Sequence, residues 1–221
     1  MEAASNLVVL EPGPSLAAVD PPAPAEQIAR MQALALELAY EPDAWCDATR
    51  AQIAALFDER AETWATHRQD SRLGALRDAL ARGGVAPGGT CLEVGSGTGL
   101  ITPALLERFD RVVSVDLSPQ MLAHTPAGRA HLVLADASSL PLRPGSVAAL
   151  VCVNCFLFPR EYLRVLADDG AIVFVSTRGA ATPIYLAPEH VLGALAAHGG
   201  SRWAATSADA LGGTWTVVRR A

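Results

Sequence analysis

The sequence predicts an α/β fold: a doubly wound, mostly parallel seven-stranded sheet with an antiparallel last strand, preceded by an N-terminal helical lid. Short β-rich runs begin at Thr90 and alternate at first with helical or turn segments. These runs are continuously apolar, as strands covered on both faces are. Ala-rich stretches with helical spacing precede them at residues 25–83. With 221 residues, 51% of them hydrophobic, the chain suits one domain with an appendage.

Proline and glycine divide the chain into three predicted parts. Five prolines among the first 25 residues exclude a helix there, although residues 7–10 suit a short strand against the body. Two glycines at 83–84 end the helical region. The predicted parts are a Pro-rich flexible arm at 1–25, a helical lid at 26–84 and a sheet domain at 85–221.

The lid is predicted to hold four helices. The first ends at Pro42, and Asp43 caps the second, which runs to about Phe57. The other two cover about 58–67 and 71–82.

Seven strands and the elements between them are predicted for the sheet domain. The strands are expected at 90–94, 111–115, 130–134, 147–153, 171–176, 202–206 and 214–219. A helix is expected from about Leu100, and another runs from Pro188 to about residue 198. Two glycines at 212–213 suit the turn of a hairpin, which makes the last strand antiparallel.

A glycine-rich turn follows the first predicted strand of the sheet domain. Residues 95–99 read Gly-Ser-Gly-Thr-Gly, and glycine lets the backbone approach a ligand closely. Ligands of doubly wound sheets bind at the carboxyl ends of the strands. The third glycine comes one residue earlier than in the dinucleotide fingerprint, and the Gly-Lys-Ser/Thr of a phosphate loop is absent. The turn alone therefore predicts only a nucleotide-like ligand.

Three acidic residues mark the ends of three successive strands. Glu93 precedes the turn, where it would repel a pyrophosphate and suit a ligand that bears an ammonium and a sulfonium. Asp116 can accept both ribose hydroxyls, which would equally suit NAD, and its alternative role is a helix cap. Asp136 can accept a hydrogen bond from the exocyclic amine of adenine. Together the three residues predict S-adenosylmethionine.

In these segments the chain resembles the class I S-adenosylmethionine-dependent methyltransferases, which have a Rossmann-like fold. The motifs that carry the resemblance lie at residues 92–100, 115–122, 135–137 and 140–141. Residues 57–64 are similar to the opening segment of the small-molecule branch, which includes quinone-biosynthesis C-methyltransferases. The resemblance covers residues 57–176 well, the last 45 residues in outline and the first 56 hardly at all. It implies S-adenosyl-L-methionine as the cofactor and residues 85–221 as the domain that binds it.

The resemblance also implies a set of cofactor-binding residues. They are Glu93, Gly95, Ser96, Gly97, Gly99, Asp116, Leu117, Met121, Asp136, Ala137, Val153 and Asn154. By this resemblance Glu93 and Gly95 would line the methionine part, Gly97 would let the backbone pass the ribose, and Asp116 would hold the ribose hydroxyls.

The remaining implied roles concern the adenine and the methyl group. Leu117 and Met121 would sandwich the adenine, and Asp136 with Ala137 would read its edge. The pair at 153–154 would face the methyl group.

The acceptor side is predicted to be short and apolar. The segment after the fourth strand leads quickly into a short helix, and residues 177–187 form only a loop, so the lid must roof the acceptor. An apolar pocket is expected from four aromatic residues, Trp64, Phe156, Phe158 and Tyr185. This favours a small, partly apolar acceptor of a biosynthetic or secondary-metabolite kind.

The sequence names no catalytic residue. The sulfonium carbon is already electrophilic, so holding the nucleophile in line and excluding water are the main tasks. His67 is the first candidate for a general base and His190 the second. Cys152 and Cys155 form C-x-x-C without a second pair, so no metal site is expected.

Charge and hydropathy exclude several partners. A net charge of −6 argues against nucleic acid, which needs a concentrated excess of basic residues. No secretory signal is visible and no apolar run reaches the ~18 residues of a membrane span, so a cytoplasmic protein is expected. The oligomeric state is left open, a homodimer included.

Two rival functions remain beside methyl transfer. One is a protein of the same fold that binds S-adenosylmethionine without transferring methyl, which the trimmed acceptor region favours. The other is a nicotinamide oxidoreductase, against which the glycine spacing and Glu93 argue.

Overall fold

The structure is a computed structural model that describes residues 6–14, 24–66, 71–126, 128–199 and 203–221. Its helices are α1 (Ala25–Tyr40), α2 (Asp47–Thr66), α3 (Ser71–Arg82), α4 (Thr102–Leu106), α5 (Pro119–Ala123), α6 (Pro159–Val165) and α7 (Pro188–Gly199). Its strands are β1 (Leu7–Val9), β2 (Thr90–Val94), β3 (Arg111–Asp116), β4 (His131–Leu134), β5 (Val147–Val153), β6 (Leu166–Ser176), β7 (Trp203–Ala210) and β8 (Gly213–Arg220). Two 3-10 turns lie at Pro42–Ala44 and Gly179–Ala181.

The eight described strands form a single sheet in the order β1-β7-β8-β6-β5-β2-β3-β4. Among them only β8 runs antiparallel to its neighbours. The predicted fold class is therefore confirmed, and the short strand expected near residues 7–10 adds an eighth member beside β7. Parallel pairing of β2 with both β3 and β5 brings the carboxyl ends of these strands to one edge of the sheet.

Helices cover the sheet on both faces. Helices α1, α6 and α7 pack on the face to which Leu92 and Leu150 point, and α3 and α4 pack on the face of Cys91 and Val151. Adjacent strand residues enter opposite cores because side chains alternate across a strand. Trp215, fully buried in β8, donates its indole N–H to a carboxylate oxygen of Asp78 at 2.7 Å and so ties α3 to the sheet.

The lid differs from the predicted one in its second helix. Residues 47–66 form one continuous helix, not two that meet near Phe57, and they contain no proline or glycine that would interrupt it. Asp43 does not cap this helix, since it lies inside the 3-10 turn Pro42–Ala44. Residues 67–70, with the candidate base His67, lie outside the described part of the chain.

Two elements of the sheet domain also differ from their predicted bounds. Strand β6 begins at Leu166, five residues before its predicted start. The apolar pattern misses this start because polar residues follow Leu166 and the pairing with β5 shifts register between Val147 and Ala149. Such an irregularity hides a strand from an apolar pattern. The helix expected from about Leu100 begins at Thr102 and is only five residues long.

Candidate functional site

A cleft opens where the carboxyl ends of β2, β3, β4 and β5 meet the lid. Its volume is about 1050 Å³, including the space open to solvent at its mouth. The turn after β2 and the loops after β3, β4 and β5 form the floor and walls, and α2 with Trp45 closes the remaining side. This is the edge where doubly wound sheets bind ligands.

The three glycines of the turn are needed for different reasons. All three have positive φ, at 64° for Gly95, 55° for Gly97 and 75° for Gly99. A Cβ on Gly95 would lie 2.9 Å from the Cβ of Cys155, and one on Gly99 would lie 2.6 Å from Cγ2 of Thr125. Packing therefore excludes side chains at these two positions.

Gly97 is different because the space beside it is open. The nearest atom to a Cβ built there is the sulfur of Met121, at 4.0 Å, and both residues line the cleft. The next residue back, Ser96, also lines the cleft, and its buried hydroxyl has no hydrogen-bond partner within the described ranges. A bare backbone and an unpartnered hydroxyl at a cleft wall are what a closely approaching polar ligand requires.

The Asp116 carboxylate is fixed by the backbone on both sides. The Gly97 N–H donates to one oxygen at 2.7 Å and the Ser118 N–H donates to the other at 2.9 Å. Burial raises the pKa of Asp116, against the lowering effect of these hydrogen bonds. The arrangement presents a preorganised acceptor to the cleft directly beside the turn, as binding of a diol requires.

Glu93 lies behind the turn and not on the wall of the cleft. Its side chain is fully buried, and one carboxylate oxygen accepts hydrogen bonds from the hydroxyls of Ser114 at 2.6 Å and Thr102 at 2.7 Å. Burial raises its pKa to about 7, and the nearby Asp116 adds to this shift. Glu93 is expected to line the methionine part, but its carboxyl instead connects β2, β3 and α4 behind the turn.

Asp136 lines the cleft at the end of the next strand and already holds two donors. The Trp45 indole N–H lies 3.1 Å and 2.9 Å from its two oxygens, and the Ser138 N–H donates to Oδ1 at 2.8 Å. The Arg50 guanidinium lies 3.8 Å from Oδ2. No sequence motif includes Trp45, which is a lone aromatic residue between two helices.

The other implied cofactor residues also reach the cleft. Leu117, Met121, Ala137 and Val153 line it, as does Asn154.

Asn154 has a positive φ of 54°, a conformation that asparagine tolerates better than most residues. Its amide exchanges hydrogen bonds with Thr177, whose N–H donates at 2.9 Å and whose hydroxyl accepts at 2.8 Å. These bonds hold the end of β5 against the end of β6.

Ten of the twelve implied residues therefore line the cleft. The exceptions are Glu93 and Gly99, which shape the turn from behind.

Aromatic and aliphatic side chains line much of the rest of the cleft. Trp64, Phe156 and Phe158 lie there as expected, whereas Tyr185 lines a separate groove beside β1 and the β7–β8 hairpin. It is the neighbouring Ile184 that enters the cleft.

The lid contributes further residues that the sequence reading missed. Ile53 and Phe57 line the cleft from α2, on the same helical face as Trp64. Ile53 and Phe57 are four residues apart, and Phe57 and Trp64 are seven apart, which places all three on one face of a helix. The predicted helix break near Phe57 concealed this pattern.

A carboxylate attaches the lid to the loop after β3. Asp58, in the middle of α2, accepts hydrogen bonds from the Ser118 hydroxyl and from the Gln120 N–H. Ser118 also caps α5 by accepting from the Met121 N–H at 3.0 Å. The lid is therefore attached next to Asp116 by Asp58 and to Asp136 by Trp45.

No histidine of the described chain reaches the cleft. His190, the second candidate base, lies beside Tyr40 with its Nδ1 3.4 Å from the phenol oxygen. Cys152 and Cys155 are buried free thiols. Among the residues that the structure describes, no group of three or more His, Cys, Asp or Glu could hold a metal ion.

The charges of the cleft define the class of ligand. Asp116 and Asp136 are the only charged residues among those described at its wall, and neither Arg nor Lys lines it. Two carboxylates at the wall, one of them 3.8 Å from the Arg50 guanidinium, leave the lining net negative, which suits a positively charged ligand and disfavours a pyrophosphate or a nucleic-acid backbone. The cleft thus fits S-adenosylmethionine, which carries an ammonium and a sulfonium.

The arrangement of strands and helices is a Rossmann-like methyltransferase fold. Residues 92–174 match a family model described as "Methyltransferase domain". This segment, which contains the glycine-rich turn with Asp116 and Asp136, is therefore similar to methyltransferase domains.

Two solved structures share the fold. A chain of the complex between the Haloferax volcanii Trm112 methyltransferase activator and a methyltransferase is 17% identical, with a TM-score of 0.59 over 74% of this chain and 97% of that one. A SAM-dependent methyltransferase from Aquifex aeolicus is 16% identical, with a TM-score of 0.57 over 73% of this chain and 97% of that one.

Curated relatives match over part of their length. Ribosomal RNA small subunit methyltransferase A of Nocardia farcinica is 32% identical over 162 residues, 66% of this chain and 51% of that protein. Its namesake from Kineococcus radiotolerans is 39% identical over 79 residues, 32% of this chain and 26% of that protein. The chain spans about half the length of the first of these relatives and about a quarter of the second.

None of the described helices is long and apolar enough to cross a membrane.

Proposed function

We propose that the protein transfers a methyl group from S-adenosylmethionine to a small, partly apolar acceptor. The observation that carries the proposal is the lining of the cleft: two carboxylates beside the glycine-rich turn, and otherwise uncharged and largely apolar or aromatic side chains. A cytoplasmic location and a role in small-molecule biosynthesis belong to the same proposal.

The cofactor would lie along the turn and the two acids. Asp116 would accept the ribose hydroxyls, since both of its oxygens are already oriented by backbone N–H groups. Gly97 would leave room for the ribose, and Asp136 would accept from the adenine amine. When bound, S-adenosylmethionine supplies a methyl group on a positively charged sulfur, which is electrophilic without further activation.

The contribution of the chain is then positioning and exclusion of water. Asn154 is held rigidly by Thr177 at the end of β5, where it would meet the reacting centre. The aromatic wall would orient an apolar acceptor and displace water, which strengthens electrostatic interactions inside the cleft. An acceptor such as an activated carbon or an amine can react without a dedicated base, and the proposal includes these classes.

The curated relatives are named for ribosomal RNA, which makes RNA the competing acceptor. Surfaces that bind RNA usually concentrate Arg and Lys, and the described cleft wall has neither. The net charge of −6 also argues against RNA as the acceptor. A small molecule is therefore the acceptor that we propose.

The test combines binding and turnover on the full chain. Isothermal calorimetry with S-adenosylhomocysteine measures cofactor binding, and release of S-adenosylhomocysteine from S-adenosylmethionine reports turnover. The acceptor panel contains phenols, quinols, apolar amines and short structured RNA.

We expect binding of S-adenosylhomocysteine and turnover with members of the small-molecule arm. Failure to bind S-adenosylhomocysteine would overturn the proposal as a whole. Turnover with RNA alone would overturn the acceptor class, and binding without turnover on any acceptor would favour a protein that holds the cofactor without transferring methyl.

A further inference from the structure

Trp45 occupies a junction between three parts of the cleft. It directly follows the 3-10 turn Pro42–Ala44 and precedes α2, so it belongs to the lid. Its indole N–H reaches the loop after β4, and its ring reaches the loop after β5. No motif includes this residue.

The hydrogen bond of Trp45 is directed at both oxygens of one carboxylate. Its Nε1 lies 2.9 Å from Oδ2 and 3.1 Å from Oδ1 of Asp136, so the N–H is shared between the two oxygens. The Ser138 N–H donates to Oδ1 at 2.8 Å from within the same loop. Two donors from different directions fix the rotation of the carboxylate about its terminal torsion, which is otherwise broad.

The carboxylate keeps capacity for a further donor. An ionised carboxylate offers about four acceptor positions, and the two N–H groups, one of them shared, do not exhaust them. The Arg50 guanidinium, 3.8 Å from Oδ2, is beyond hydrogen-bond distance. Asp136 lines the cleft, so an amine of a bound ligand can join the existing donors without displacing Trp45.

Packing holds the indole ring in place. The ring centroid of Trp45 lies 5.1 Å from that of Phe158 in an edge-on contact and 6.0 Å from that of Phe156. Both phenylalanines are buried. The orientation of the indole N–H, and with it that of Asp136, is therefore set by the rigid loop after β5.

We propose that Trp45 is a positioning residue that makes the cleft selective for the exocyclic amine of adenine. It does so by holding the Asp136 carboxylate in the rotation that accepts this amine. The inference rests on the proposed function, in which Asp136 reads the adenine edge. The sequence motif assigns recognition of the adenine amine to the loop after β4, and the inference adds Trp45 of the lid to it.

The experiment compares two ligands on the full chain by calorimetry. S-adenosylhomocysteine carries the exocyclic amine, and S-inosylhomocysteine has an oxygen in its place. The wild-type protein is expected to prefer S-adenosylhomocysteine by about tenfold or more, since a buried acceptor without its donor is unfavourable. Trp45→Phe keeps an aromatic ring against Phe158 but removes the N–H, and we expect the preference to fall to about threefold or less.

Two further variants separate positioning from a structural effect. Asp136→Asn should itself reduce the preference, and adding Trp45→Phe to it should change the preference no further. Trp203→Phe is the matched control, because the Trp203 indole N–H has no hydrogen-bond partner in the described chain and Trp203 does not line the cleft. This variant should keep the wild-type preference.

The outcomes distinguish this inference from the proposed function. If the wild-type protein binds neither ligand, the proposed function fails and the inference with it. If the wild type shows the preference and Trp45→Phe retains it in full, the inference is overturned while the proposed function stands. If Asp136→Asn keeps the preference, Asp136 does not recognise the adenine amine and the inference is overturned.

Discussion

Two groups of cleft residues, called the cofactor end and the acceptor end after their proposed roles, come from the chain in different ways. At the cofactor end, each polar group lies at or just beyond a strand end: the turn follows Val94 of β2, Asp116 ends β3, and Asp136 follows β4 by two residues. At the acceptor end, the wall combines residues from α2 with the loop after β5 and with Ile184, which are far apart in the chain. The first end depends on backbone geometry that short motifs encode, and the second depends on packing between distant segments.

This contrast predicts that single changes at the cofactor end alter binding far more than changes at the acceptor end. The predictions below run from the largest expected effect to the smallest.

The largest loss of affinity is expected for Asp116→Ala. The substitution removes the acceptor of the Gly97 and Ser118 N–H groups together with the proposed partner of the ribose hydroxyls. We expect the affinity for S-adenosylhomocysteine to fall by about 100-fold or more, or about 3 kcal/mol, by calorimetry. Asp116→Asn, which retains one carbonyl acceptor, should lose less. An affinity of Asp116→Ala within about threefold of wild type would contradict this role.

Glu93→Gln should change how stability depends on pH. The pKa of Glu93 is raised to about 7 in the folded protein, mainly by burial, from a usual value of 4.5. A raised pKa means that the folded state binds the proton more tightly, so the stabilisation is complete at low pH and is lost as pH rises towards and through about 7. Over the whole range from below pH 4.5 to above pH 7 the loss is about 3 kcal/mol. Glutamine cannot ionise and keeps an oxygen for Ser114 and Thr102.

The measurement is thermal or urea unfolding of both proteins at pH 5.5 and pH 8. Glu93→Gln should gain stability relative to wild type as pH rises. Parallel pH profiles for the two proteins would show that Glu93 does not titrate in this way. Since Asp116 also has a raised pKa, a residual pH dependence of the same sign is expected in the variant.

Gly97→Ala tests whether the turn leaves room for a ligand. Gly145 is a matched control, since its φ is 63° against 55° for Gly97 and no atom lies within 4 Å of a Cβ built there. Both alanines adopt the left-handed conformation at a cost of roughly 1–2 kcal/mol in unfolding free energy. Only Gly97→Ala should weaken binding of S-adenosylhomocysteine, by about tenfold. Equal affinities in the two variants would mean that the Gly97 backbone does not approach the ligand.

Ile184→Val should have the smallest effect on cofactor affinity. Ile184 is buried and lines the cleft at the acceptor end. We expect a loss of about 1 kcal/mol in unfolding free energy from imperfect repacking, with the affinity for S-adenosylhomocysteine within about twofold of wild type. A tenfold loss of that affinity would remove the contrast between the two ends of the cleft.

The same contrast explains what the sequence could predict. Buried parallel strands are continuous apolar runs, so β2 and β5 were located to the residue, and the ligand-facing loops followed from them. The polar start of β6 at Asp168 and Asp169 breaks this pattern, and the strand was placed too late.

The position of Glu93 behind the turn was not predictable either. Side chains alternate along a strand, and which side meets the cleft is decided by the twist of the turn.

The acceptor end shows more clearly which contacts a sequence pattern does not predict. Trp45 lies alone in a connection between helices, and nothing local indicates that its indole reaches Asp136, 91 residues further on. Tyr185 and Ile184 are neighbours with similar apolar bodies, and only three-dimensional packing decides which of them enters the cleft. The division at residues 25 and 84, like the role of His67, remains a prediction.

The most direct test of the central claim is a crystal structure of the full chain with S-adenosylhomocysteine. We predict that the ribose hydroxyls lie on the Asp116 carboxylate, that the adenine lies between Leu117 and Met121 with its amine on Asp136, and that Trp45 keeps its hydrogen bond to that residue. The same structure would show whether His67 faces the cleft. A ligand bound elsewhere, or bound in the cleft without contact to Asp116, would contradict the assignment of this cleft as the methyl-donor site.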